Sequence, residues 1–170
     1  SSGRLRKDLN ILPPGDIRAC ISALASAEPL VAELFEYRFE SSNEELAGHS
    51  LGNLLIAGMA EITGSMESGI QAISRVLDVR GTILPSTLED IKISAFSKNG
   101  NKILGESNIG NQHEPIETLN IEPNAPKAYE EAISAIHQAD AVIIGPGSLF
   151  TSILPNLLIP DILQAIIETK

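Results

Sequence analysis

The chain has 170 residues, 43% of them hydrophobic and only 4% aromatic, with a formal net charge of −10. That length suffices for a well-buried α/β domain, and the apolar content excludes a disordered chain. The acidic balance and the lack of Trp exclude a broad polyanion-binding surface, because nucleic acids and anionic membranes are held by clustered Lys and Arg and by aromatic platforms.

From the N-terminus, Pro13-Pro14-Gly15-Asp16 reads as a turn with Asp16 as N-cap. Ile17, Cys20, Ile21 and Leu24 then recur at helical spacing, so a helix is expected over 16–27. Pro29 opens a second helix carrying Leu30, Leu34 and Phe35, and the polar run 36–45 reads as an exposed loop. Leu51, Leu54, Leu55, Ile56, Met59 and Ile62 predict a helix apolar enough to be buried on most sides. After a break at 64–68, Ile70, Ile73, Val76 and Leu77 mark another.

The period then changes to two. Ile91, Ile93 and Ala95 alternate with polar residues, and Asn99-Gly100 separates them from the run 102–106, which predicts a β-hairpin. A strand over 116–121, a helix over 126–139 and a short buried strand at 141–144 complete the pattern. A single helical turn after Ser148, a break at Pro155-Asn156 and a last helix with Pro160 in its first turn account for the apolar tail. The sum is an α/β fold: an open sheet with flanking helices and an inserted antiparallel hairpin unit.

The run from Ala139 to Ser152 carries the clearest chemistry. Apolar residues empty into Gly145-Pro146-Gly147, followed by Ser148, Thr151 and Ser152. Glycines let the main chain approach an anion, and the first amides of a helix have no internal partner and sit at the positive end of its dipole. A phosphorylated ligand is the expected occupant, with the three hydroxyls as further donors. The spacing fits neither the Walker pattern nor the G-x-G-x-x-G fingerprint. An ordinary strand-to-helix turn capped by Ser148 is the structural alternative.

Basic residues concentrate near the start, as Arg4, Arg6, Lys7 and Arg18. Arg18 sits where a helix dipole is already positive, which costs stability unless an anion is near. Arg4, Arg18 and that helix start are therefore candidates to share a phosphate, with Asp16 as the structural alternative partner for Arg18. Asp16 could equally orient an arginine or bind a ligand hydroxyl or Mg²⁺. Gly48-His49-Ser50-Leu51-Gly52-Asn53 places His49 and Asn53 four apart, with Gly48 and Gly52 keeping the backbone open. His49 or Ser50 could meet phosphate and Asn53 a hydroxyl or base edge, or else Ser50 caps a helix beside an exposed His49. His113 and His137 have no nucleophile arrangement, and the paired carboxylates read as solvated faces, so no catalytic residue and no metal site is assigned. The single Cys20, the absence of zinc spacing and the lack of a membrane-length apolar run point to a cytoplasmic protein.

Taken together, the segment from Ser1-Ser2-Gly3-Arg4, the Pro-Pro-Gly-Asp turn, the Gly48–Asn53 run and Gly145-Pro146-Gly147-Ser148-Leu149-Phe150-Thr151-Ser152-Ile153-Leu154-Pro155-Asn156 resemble the YvcK proteins of the CofD (2-phospho-L-lactate transferase) family. The resemblance covers essentially the whole chain and makes Ser1-Ser2-Gly3 part of the protein rather than a tag remnant. It implies a Rossmann-like fold and one α/β domain over 1–170. That domain would be a piece of a CofD-like domain, without the family's first strand, its glycine-rich turn and its C-terminal part. It further implies UDP-sugar (UDP-GlcNAc) binding and a regulatory role in cell shape, cell-wall homeostasis and growth on gluconeogenic carbon sources. The alternative is a transferase acting on a nucleotide-diphosphate donor and a deazaflavin acceptor. Expected partners are the nucleotide sugar, a second copy of the chain and a regulatory protein, with neither nucleic acid nor membrane insertion. The positions carried over are Asn53, Gly145, Gly147, Ser148, Thr151 and Asn156, with Arg4, Arg18 and His49 as companions.

Overall fold

The computed structural model describes residues 14–40 and 47–169. By its internal contacts the chain forms two compact units, Ser1–Pro85 and Ser86–Lys170.

The first unit is helical: α1 (Gly15–Leu24), α2 (Pro29–Glu36), α3 (Leu51–Thr63) and α4 (Met66–Val76). α1 begins one residue earlier than its pattern suggests, so Asp16 lies in the first turn and Pro14 occupies the N-cap without a side-chain bond. The helix ends at Leu24 rather than 27. Ser26 N donates to the Asp78 carbonyl at 3.0 Å and Ala25 bridges Val79, which commits the backbone to an extended path. α2 starts at Pro29, where a missing N–H costs nothing. α3 ends at Gly64, whose φ of 84° is a conformation that glycine adopts without strain. One residue later the Ser65 hydroxyl accepts from Ser68 N at 3.2 Å and starts α4. This cap-to-cap junction folds α3 and α4 into an antiparallel hairpin.

Their contact is close enough to involve backbone. A Cβ added to Gly69 would lie 2.6 Å from Ala60 N and 2.7 Å from Ala60 Cα. Around this crossing, Ile21, Phe35, Ile56, Ala60, Met66, Ile70, Ile73, Leu77 and Ile83 form the core, each large side chain contributing about 1.5–3 kcal/mol by its burial. α3 is less enclosed than its composition suggests. Ile62 is 81% exposed and Leu55 38%, because the described residues pack against only one side of this helix.

The second unit carries the sheet. β1 (Lys92–Ser97), β2 (Lys102–Leu104) and β3 (Ile116–Glu122) pair antiparallel in the order β2-β1-β3. The register sets Ala95 opposite Ile103 on one side and Leu119 on the other. The Asn99-Gly100 turn is as the sequence indicates: Gly100, at φ 82°, returns its N–H to the Ser97 carbonyl at 2.9 Å. Ser97 is fully buried because its Oγ accepts from the loop amides of Asn99 and Asn101, each at 3.3 Å. Short helix α5 (Glu106–Gly110) closes the hydrophobic cluster of Ala95, Ile103 and Ile109, with Phe150 against its edge. α6 (Glu130–His137), α7 (Leu154–Leu157) and α8 (Pro160–Glu168) complete the unit, and α6 packs on α8.

Three expectations for this unit are corrected. The helix predicted over 126–139 is only α6, since residues 127–129 are held extended: Thr87 Oγ1 donates to the Lys127 carbonyl at 2.6 Å and Tyr129 N to the Ser86 carbonyl at 2.9 Å. Residues 141–144 are neither a strand nor buried, with Ile143 88% exposed. The run is apolar enough for a sheet interior, but no described strand lies beside it to supply ladder bonds. The chain also does not break at Pro155-Asn156. A π-helical turn, Leu149–Ile153, runs straight into α7, and the interruption falls at Leu158 and Ile159. The α/β class with a hairpin unit and flanking helices is thus observed.

The close helix crossing gives the first prediction. Gly69→Ala should destabilise the protein by about 1–3 kcal/mol, the usual cost of overpacking. Gly58→Ala, on α3 with open space around its Cβ position, should stabilise it by about 0.5–1 kcal/mol. Denaturant unfolding of both variants measures the contrast, and equal effects would refute the packing account.

Candidate functional site

The sequence-predicted site residues fall into one group in each unit. Arg4 lies outside the described residues. In the first unit, α1 and α3 bring Arg18 and Gly52 into contact. A Cβ on Gly52 would stand 2.5 Å from the Phe35 carbonyl oxygen and 3.1 Å from the aliphatic carbons of Arg18. Glycine at position 52 is therefore what lets the Arg18 stem lie against the helix start. The Arg18 guanidinium pairs with Glu36 at the end of α2, and its side chain is only 12% exposed. Glu36, rather than Asp16, answers the cation at the positive end of the α1 dipole. The Arg18 Nε is enclosed without a hydrogen-bond partner.

Ser50 is the N-cap of α3 and accepts from Asn53 N at 3.3 Å. His49, expected on an exposed turn in the structural alternative, is 4% exposed, and Ser50 and Asn53 are buried beside it. Backbone pairing explains the burial. Phe39 N donates to the His49 carbonyl at 3.0 Å, Leu51 N to the Tyr37 carbonyl at 2.8 Å, and Arg38 bridges Ser50. The 48–50 segment is thus pressed onto the chain leaving α2.

Asp16 and Cys20 lie one turn apart on α1. Desolvation by the surrounding packing pushes the Asp16 carboxyl above its usual range. The Cys20 thiol is pushed up as well, first by desolvation and then by the charge of Asp16.

The second group is a turn on the surface of the other unit. Residues 141–149 are all exposed. Gly145 has φ 106°, a backbone state that disfavours any side chain. A Cβ on Gly147 would meet Ser152 Cβ at 3.1 Å, so the absence of that Cβ leaves room between the turn and the helix that follows. The Ser148 carbonyl accepts from both Ser152 N at 2.9 Å and Ile153 N at 3.0 Å. This widened turn has a local cause: Pro155 offers no N–H to the Thr151 carbonyl, and its ring crowds that oxygen. Ser148 makes no side-chain cap bond, so its hydroxyl is not engaged in capping, contrary to the structural alternative. The amides of Leu149, Phe150 and Thr151 open the helical run and precede its first internal bonds.

Asn156 is fixed from two sides. Its Nδ2 donates to the Ser152 carbonyl at 2.6 Å, and its Oδ1 accepts from the Ser86 hydroxyl. Ser86 is a residue that sequence reasoning missed. Its only signal was a place in Pro85-Ser86-Thr87, a turn-like run 70 positions away. Glu36 was missed for the same reason, since nothing in sequence spacing joins it to Arg18.

Among the described residues, no group of three or more His, Cys, Asp or Glu side chains gathers in a way that could hold a metal ion. No single described helix is long and apolar enough to cross a membrane.

The profile of the 2-phospho-L-lactate transferase CofD family matches residues 1–170. The chain belongs to the CofD family. Within it, the chain is 49% identical over 166 residues to the gluconeogenesis factor of Halalkalibacterium halodurans, covering 98% of this chain and 51% of that protein. It is 46% identical over 168 residues to the gluconeogenesis factor of Bacillus subtilis, covering 99% and 53%. The crystal structure of protein BH3568 from Bacillus halodurans matches with a TM-score of 0.93 at 48% identity, covering 100% of this chain and 54% of that one. The chain therefore spans about half the length of these CofD relatives, and the resemblance to the YvcK branch rests on gluconeogenesis factors of high identity.

The Asp16–Cys20 pair gives the second prediction. Asp16→Asn removes a negative charge beside the thiol, which favours the thiolate. Alkylation of Cys20 by iodoacetamide should become faster at a fixed neutral pH, and its pH–rate profile should move to lower pH. An unmoved profile would show that the two groups are not electrostatically coupled.

Proposed function

We propose that this chain is part of a UDP-sugar-binding regulatory protein of the cytoplasm, with UDP-GlcNAc as ligand and with the Gly145–Ser152 turn receiving the diphosphate. The observation that carries the reading is the exposed, side-chain-free turn at Gly145 and Gly147 leading into a π-helical start with Ser148, Thr151 and Ser152 alongside. Such a turn offers main-chain amides and hydroxyls to an anion in a protein whose overall charge would otherwise repel it. π-helical turns also recur at functional sites. Asn156 acts here as a positioning residue, since both ends of its amide are occupied by Ser86 and the Ser152 carbonyl. Membership of the CofD family and identity to gluconeogenesis factors support a role in growth on gluconeogenic carbon sources. Roles in cell shape and cell-wall homeostasis, the Rossmann-like sheet and Mg²⁺ as an accompanying ion belong to the same proposal.

Titration calorimetry of the full-length protein with UDP-GlcNAc should give saturable binding that weakens about tenfold or more in Gly147→Val, which fills the space beside Ser152. Unchanged affinity in that variant would reject this placement of the diphosphate, and absent binding would reject the ligand.

A second reading is favoured by the family description itself, 2-phospho-L-lactate transferase. In that case the same turn would hold the diphosphate of a lactyl-diphospho-guanosine donor, and a deazaflavin hydroxyl would take up the phospholactyl group as guanosine monophosphate leaves. Incubation of the full-length protein with both substrates decides between the readings: product detected by mass spectrometry favours the transferase, and its absence favours binding without turnover.

A further inference from the structure

Residues 141–149 are all exposed, and glycine at 145 and 147 gives the chain there more conformational freedom to lose on ordering than any other residue type. Packing alone therefore does not fix the turn. Two attachments hold the helical run that follows it: Phe150 rests at the edge of the sheet cluster, and the Asn156 side chain bonds both the Ser152 carbonyl and the Ser86 hydroxyl. The first is apolar and without direction. The second sets an orientation.

The polarity of that second link follows from which groups can donate. A carbonyl only accepts, so Asn156 Nδ2 faces Ser152 and Oδ1 is left for Ser86. An amide oxygen also only accepts, so the Ser86 hydroxyl is the donor. Ser86 is itself held in place. Its carbonyl accepts from Tyr129 N at 2.9 Å. Beside it the Thr87 hydroxyl donates to the Lys127 carbonyl at 2.6 Å and accepts from Glu89 N at 3.1 Å. The Glu89 carboxylate accepts from Lys127 N at 2.7 Å. Segment 86–89 is thus clamped to 127–129, directly ahead of α6 (Glu130–His137).

We infer that Ser86 is the positioning residue of the anion-accepting turn, passing the rigidity of the clamped 86–89 segment through Asn156 to the Ser148–Ile153 run. The inference rests on the reading of Gly145–Ser152 as the diphosphate site. The Ser86 hydroxyl proton is engaged by Asn156, so Ser86 acts through the turn rather than on the phosphate. Without that bond Asn156 keeps only its contact to Ser152, four residues away on the same run, and the run loses its tie to the clamped segment. The ligand would then have to order the turn as it binds, which lowers affinity without removing any group that touches it.

Titration calorimetry of the full-length protein with UDP-GlcNAc, with Gly147→Val run alongside, measures the effect. Ser86→Ala should weaken binding about fivefold, the size of one ordinary hydrogen bond, and Ser86→Thr, which keeps the hydroxyl, should recover it. Ser86→Ala combined with Asn156→Ala should bind no more weakly than Asn156→Ala alone, because both remove one link. In the ligand-free protein, hydrogen exchange of the Ser152 and Ile153 amides, both bonded to the Ser148 carbonyl, should quicken in Ser86→Ala. The Gly100 amide in the hairpin turn should exchange as before, whereas general loss of stability would quicken all three. Unchanged affinity in Ser86→Ala beside a loss in Gly147→Val, unchanged exchange at Ser152 and Ile153, no recovery in Ser86→Thr, or additive losses in the double variant would each overturn the inference and leave the diphosphate reading standing. Unchanged affinity in both single variants, or no binding by the unmodified protein, would overturn that reading and this inference with it.

Discussion

The first unit depends on one close approach, where Gly69 of α4 meets the backbone of Ala60 on α3. Interhelical distance is set by the side chains at the contact, and a glycine facing an alanine lets two helices approach until backbone meets backbone. With α3 and α4 locked in this way, Ile56, Ile70 and Ile73 share one core, and the rotation of α4 about its axis is fixed. The same rotation leaves Gln71 and Arg75 exposed on the side of α4 away from that core, along a groove that continues past Asp78. The same packing holds the start of α3, so that Gly52 lies against the Arg18 stem and Ser50 can cap the helix.

The second unit solves a different problem. Its three-stranded sheet buries only a small cluster around Ala95, Ile103 and Ile109, so polar links share the task of holding its loops. Ser97 gathers two loop amides, Thr87 and Glu89 tie down residue 127, and Ser86 reaches Asn156. The last of these orients the helical turn that carries Ser148, Thr151 and Ser152. A phosphate-accepting turn gains most when it is held before the ligand arrives, because the ordering cost is then borne by folding rather than by binding. Phe150, packed at the edge of the sheet cluster, anchors the same turn from its apolar side.

Much of the local structure was legible in the residues. Helices α1 to α4, the Asn99-Gly100 hairpin and β3 follow from apolar spacing and turn chemistry, signals carried within a few positions of the chain. The failures also have identifiable causes. Residues 127–129 have helical composition, yet hydrogen bonds to the Ser86 carbonyl and from the Thr87 hydroxyl, some 40 positions away, hold them extended. Residues 141–144 read as a buried strand from their hydropathy, but a strand exists only beside a neighbour, and periodicity cannot reveal whether one is present. In the candidate site, the glycines and hydroxyls of the 145–152 turn were visible as types and spacing. The partner of Arg18, the burial of His49 and the fixing of Asn156 were not.

The sequence by itself determined which residue types stand at each element junction: glycine where φ is positive or two backbones touch, serine where a helix begins, proline where a donor must be absent. These are short-range steric and hydrogen-bonding requirements, and a window of a few residues contains them. Only the tertiary structure decided which charged and polar groups face one another. Glu36 meets Arg18 and Ser86 meets Asn156, because those relations depend on helix rotation and chain crossings set by core packing across many residues.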